Sequence, residues 1–163
     1  MIGVMSQQFS YAVAKSAAGF TATNLQDWRR AGLLRQQLGT PGSGRTRSFS
    51  RQDILELALI KQMSLLKAPM QLPPWLKWYA GTFVLEGERA SQNVECYLIW
   101  TKETGWIHKT ASFSSGGKKP KPVTGSDLML GQPGAIVIDL LAIIARVDAA
   151  LNTDEDSSRA SRK

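Results

Sequence analysis

Two hydroxyl residues and two glycines frame the most constraining stretch of the chain, "SYAVAKSAAGFTATNLQDWRRAGLL", residues 10–34. Ser10 can cap a short helix over Tyr11–Ala18, with Ala12, Val13 and Ala17 turned inward. Gly19 and Phe20 break that helix. Thr21 offers a second N-cap, for a helix running from Ala22 to Ala31. Leu25 and Trp28 lie three apart, share a face and pack inward, which leaves Asn24, Gln26, Asp27, Arg29 and Arg30 to the flanks and the outside. Gly32 suits the position after the helix, because it reaches the left-handed conformation without a Cβ penalty. The pattern is helix, tight turn, helix.

Downstream, "LLRQQ" and "RTRSFS" flank a Gly/Pro-rich stretch, "LGTPGSG". Two short extended pieces around such a turn predict a hairpin. Ser50 and Asp53 form an acidic capping box ahead of a third, strongly periodic helix. Ile54, Leu57, Ala58, Ile60 (or the stem of Lys61) and Leu65 mark its buried side, and Ala68–Pro69 ends it near Lys67. Residues 69–80 read as a linker or a stiff corner. Thereafter the period changes. Residues 81–87, 94–101 and 106–112 are rich in β-branched and aromatic residues and predict strands, the last two joined by "KETG". "AIVI" (135–138) predicts a further strand, with Asp139 capping a helix over Leu140–Leu151; one continuous helix from Ala135 is the competing reading. Residues 1–9 read as a flexible arm, and residues 152–163 as a disordered, solvated tail.

Charge divides the chain unevenly. Residues 1–67 carry nine Lys/Arg against three Asp/Glu, and the remainder eleven against ten. A basic segment beside a near-neutral one points to a polyanion-binding head on a body with another task. The single cysteine, Cys96, excludes an intrachain disulfide and a Cys/His zinc cluster. With His108 the only histidine, metal and triad chemistry are disfavoured, and the expectation is a non-enzyme with no cofactor. The N-terminus lacks the layout of a secretory signal, and residues 135–145 fall short of the roughly 20 needed to span a bilayer. The expected location is cytoplasmic, at the nucleoid.

The residues from Phe9 to Leu66 resemble the DNA-binding domain of MerR-type transcriptional regulators, a winged helix-turn-helix. That family ends its second helix in an aromatic, a basic residue and Gly-Leu-Leu, matched here by Trp28, Arg30, Gly32, Leu33 and Leu34. Its wing carries an arginine two positions before an aromatic and an acidic cap, matched by Arg47, Phe49 and Asp53. The resemblance covers about residues 10–67. It implies that the helix from Ala22 enters the major groove and that the wing grips backbone or minor groove. The chain departs from the family where the family has threonine and arginine at the recognition core; here stand Asn24 and Gln26, and Arg29 replaces an acid. Base preference therefore cannot be carried over.

Physical chemistry points the same way. A recognition helix offers its N-terminal residues to base edges, in a groove about 12 Å wide. Thr21, Thr23, Asn24 and Gln26 are the expected readers, Asn and Gln being able to bond adenine bidentately. Arg29 and Arg30, a turn later, and Arg45 and Arg47, alternating on the wing, are expected on phosphates. Six such cations would give log K a slope of about −5 against log salt. "GTPGSGRT" has phosphate-loop spacing but lacks the strand before it and the helix after it, so its glycines suit a wing turn. Aromatics gather between residues 75 and 106. Trp78, Tyr97, Trp100 and Trp106 fill the core of a small sheet or line a pocket for a flat ligand, with core favoured.

The resulting expectation is an α+β protein: a winged helix-turn-helix over 10–68, then a small antiparallel sheet and helix over 81–151 serving dimerisation or sensing. Its partner would be double-stranded DNA. The apolar stripe of the last helix argues for a homodimer, and RNA polymerase is a second candidate partner. The alternative function is an architectural DNA-binding protein of recombination, excision or phage packaging. Operator sequence, effector and the sign of regulation stay open.

Overall fold

The computed structural model describes residues 7–34, 38, 40–41, 47–71, 94–112 and 134–160. The elements are β1 (Gln8–Phe9), α1 (Tyr11–Ala18), α2 (Ala22–Arg30), β2 (Thr40–Pro41), β3 (Arg47–Ser50), α3 (Arg51–Leu65), β4 (Val94–Thr101), β5 (Gly105–Ser112), β6 (Ile136–Asp139) and α4 (Leu140–Ala160). Two three-stranded antiparallel sheets result, ordered β1-β3-β2 and β5-β4-β6. The fold is α+β, and the expected strand over 81–87 lies outside the described residues.

The helix boundaries follow from local chemistry. Ser10 Oγ accepts the Val13 N–H at 3.3 Å, and Gly19 closes α1 at φ 71°. Thr21 and Asn24 form a full capping box on α2, and Ser50 and Asp53 another on α3. α2 ends in a Schellman motif: the Leu33 N–H donates to the Trp28 carbonyl at 2.9 Å, and the Gly32 N–H to that of Arg29 at 3.0 Å, with Gly32 at φ 66°. Trp28 and Leu33, the hydrophobic pair that accompanies this motif, are both buried. The aromatic-to-Gly-Leu spacing is thus a helix stop.

Several boundaries correct the sequence reading. Gln8 and Phe9, expected in a loose arm, pair with Ser50 and Phe49 of β3. Thr40–Pro41, inside the expected turn, pairs with β3, whereas Leu33 and Leu34 are not in a strand and the rest of "LLRQQ" lies outside the described residues. α3 stops before Ala68–Pro69, in a second Schellman motif with Lys67 at φ 52° and the Ala68 N–H donating to the Met63 carbonyl at 2.9 Å. Its burial is also broader than one stripe. Every residue from Asp53 to Ile60 is buried, whereas Leu65 is 61% exposed. Such all-round burial requires partners on several sides of α3.

α4 supplies one of those partners. Residues 136–151 settle as strand then helix, with Asp139 Oδ1 accepting the Ala142 N–H at 3.1 Å. The helix runs on to Ala160, past the expected end at Leu151 and through most of the expected tail. It packs on α1 and α3. Leu140, Ile143, Ile144, Val147 and Leu151 are buried in one cluster shared with Phe49, Ile54 and Leu57. The stripe that argued for a homodimer is therefore covered within the chain. Arg51, at the start of α3, fixes the join with two hydrogen bonds to Asp148, at 2.7 and 2.6 Å. The second sheet docks on the same core through Leu98, Trp106 and Ile138, and Trp106 Nε1 donates to the Pro69 carbonyl at 3.3 Å. Trp106 is buried, and Trp100, which pairs with it across the strands, is half-buried against the core. Tyr97, on the opposite sheet face from Trp100, is half-buried. Trp78 and Arg45 lie outside the described residues.

Candidate nucleic-acid interface

α2 buries Leu25 and Trp28 against the core and turns Thr23, Gln26, Asp27 and Arg30 to solvent. At 3.6 residues per turn those four fall on one side of the helix. Thr21, at its leading end, is exposed as well. Its hydroxyl oxygen accepts the Asn24 N–H at 3.1 Å, leaving the hydroxyl proton available to donate outward. Arg30 has an exposed, loose ion pair with Asp27 at 3.9 Å, a contact of little energetic weight.

The two flanks of α2 differ. On one, Arg29 meets the wing. Burial first, and the neighbouring Arg47 guanidinium second, hold Arg29 below the ordinary arginine value, while Tyr11 acts in the opposite direction. Arg29 nevertheless stays charged at neutral pH. Tyr11 is itself set by an edge-on contact with Phe20 (centroids 5.8 Å) and a tilted one with Phe49 (6.3 Å). These ring contacts join α1, the α1–α2 turn and β3. An anion placed beside two like charges relieves their repulsion.

On the other flank Asn24 is half-buried. Its Oδ1 accepts the Thr21 N–H at 3.1 Å, and the Lys61 ammonium, from α3, approaches the same oxygen at 3.4 Å. Tyr11 and Lys61 are the participants that sequence reasoning missed. Their nearest signals, an aromatic at the start of α1 and a lysine within an apolar helix, gain meaning only once three elements converge.

These features define a winged helix-turn-helix: two short capped helices meeting at a tight turn, with a strand pair carrying an exposed arginine beside the second helix. Residues 9–67 are similar to a MerR-type helix-turn-helix domain. They match the family described as MerR HTH family regulatory protein, over just more than a third of the chain. No curated protein matches the sequence. The family is one of DNA-binding transcriptional regulators, which supports double-stranded DNA as the partner of this segment. Among the described residues no helix is long and apolar enough to cross a membrane, and no group of three or more His, Cys, Asp or Glu could hold a metal ion.

Proposed function

We propose that the chain is a sequence-selective regulator of transcription. The outer side of α2 enters the major groove, and the β2–β3 wing grips the adjoining backbone or minor groove. The observation that carries this reading is the outer side of α2, where Thr23, Gln26 and Arg30 are exposed while Leu25 and Trp28 are buried, together with the exposed Arg29 and the exposed Arg47 of β3. Phosphate contacts fix register, so an arginine pair flanking the helix is what an insertion geometry needs. Thr21, Thr23 and Gln26 would face base edges, and Arg30 and Arg45 would add backbone contacts. The protein would then act in the cytoplasm, at the nucleoid.

Binding as a homodimer, and contact with RNA polymerase, belong to the same proposal but need surfaces other than the α4 stripe. Leu65 and Leu66, at 61% and 41% exposure, are the exposed large apolar side chains among the described residues.

A random-duplex selection with the full chain tests the proposal. The expected result is an enriched motif whose symmetry reports one copy or two, bound with a log K against log salt slope of about −3.6 for the four arginines of each copy. Absence of enrichment together with salt-insensitive binding would overturn it.

A further inference from the structure

We infer that Asn24 is a positioning residue that holds the leading end of α2, and that base discrimination on this helix falls to Thr23 and Gln26. The inference rests on the DNA-binding reading above. A bidentate contact to adenine requires the amide oxygen to accept from N6 while the amide nitrogen donates to N7. The Asn24 oxygen is already engaged. The Thr21 N–H donates to it at 3.1 Å, and Lys61 Nζ lies 3.4 Å away, aimed at the same atom.

Both neighbours are donors without acceptor capacity, so the amide orientation is fixed: the atom facing them is oxygen, and a flipped amide would set donor against donor. A carbonyl-type oxygen has two lone pairs, and these two neighbours occupy both. Reading adenine would require Asn24 to abandon the Thr21 N–H, which would then be an unsatisfied first-turn donor, and to turn away from the Lys61 charge. Asn24 is also half-buried on the α3 side of α2, whereas Thr23 and Gln26 are exposed on the outer side with Arg30. Gln26 keeps a complete amide for the same bidentate chemistry.

The experiment compares Asn24→Asp, Asn24→Ala and Gln26→Ala in the full chain, by thermal midpoint without DNA and by duplex selection. Aspartate retains the cap acceptor and suits Lys61, but it cannot donate to adenine N7. Asn24→Asp should therefore keep both the midpoint and the selected motif, even where its charge lowers affinity for every duplex alike. Asn24→Ala should lower the midpoint by about 2–4 °C and weaken all duplexes uniformly. Gln26→Ala should lose discrimination at one or two base pairs by about 5- to 150-fold. A changed base preference in a stable Asn24→Asp protein overturns the inference, since only a reader would produce it. An unchanged midpoint in Asn24→Ala overturns the capping role. If the unaltered chain selects no motif, the DNA reading itself fails, and the midpoints still decide the cap.

Discussion

Lys67 occupies the left-handed position after α3 that Gly32 occupies after α2, and the two residues meet it at different cost. At φ 52° a lysine Cβ crowds the following carbonyl, a strain of about 1–2 kcal/mol that glycine avoids. Part of that gain is lost to the greater freedom of glycine in the unfolded chain. Lys67→Gly should therefore raise stability by about 1 kcal/mol, seen as a midpoint increase of about 2–4 °C. Gly32→Ala should do the reverse by a similar amount. Nothing lies within 4 Å of where its Cβ would sit, so the loss is backbone strain alone. Unequal or absent effects in calorimetry would mean the two motifs are not closed as described. Arg47 tests a different property. Its removal relieves the repulsion on Arg29, so Arg47→Ala should leave thermal stability intact while flattening the salt slope of DNA binding by about 0.9. An unaltered slope would take the wing out of the contact surface.

The elements show which kind of information a single sequence carries. Ser10, Thr21, Gly32, Ser50 and Asp53 marked helix ends because a cap is a contract between residues three or four apart, complete within the local chain. The two body strands and the strand-to-helix junction at Asp139 were legible for the same reason. Contacts made at long range were not. Nothing local distinguishes Lys61 from other half-buried lysines until α3 is laid beside α2, and β1 has no identity without Phe49 opposite Phe9. A glycine- and proline-rich run also concealed β2, since Pro41 can sit on an edge strand, where no ladder donor is required. The Arg51–Asp148 pair, spanning 97 positions, is the plainest such case. Its two parallel hydrogen bonds tie the wing-side end of α3 to α4, with both side chains about a third exposed. A double-mutant cycle of Arg51→Ala and Asp148→Ala should give a coupling of about 1 kcal/mol that shrinks in high salt. Additive losses would mean that packing alone holds the two helices together.

At the scale of the molecule, the sequence suggested a basic head and a separable body, whereas the packing joins them. α3 is buried continuously from Asp53 to Ile60, and α1 and α3 are both covered in part by α4. Ile143, Val147 and Leu151 belong to the same apolar cluster as Phe20 and Leu57. A fragment ending at Gln71 would keep α1, α2, β3, α3 and the caps of those three helices, yet expose the apolar surface that α4 covers. Burying one leucine- or isoleucine-sized side chain contributes about 1.5–3 kcal/mol, and α4 brings five. That sum is comparable with the whole stability of an ordinary domain, about 5–15 kcal/mol. The fragment is therefore expected to lose cooperative thermal unfolding and, with it, the fixed placement of α2 beside α3 on which the proposed duplex binding depends. Circular dichroism melts and duplex titrations on residues 1–71 against the full chain provide the check. If the fragment melts cooperatively and selects the same motif, the N-terminal domain stands alone and α4 is an accessory. If it does not, the helix that the sequence assigned to pairing two copies completes the core of one.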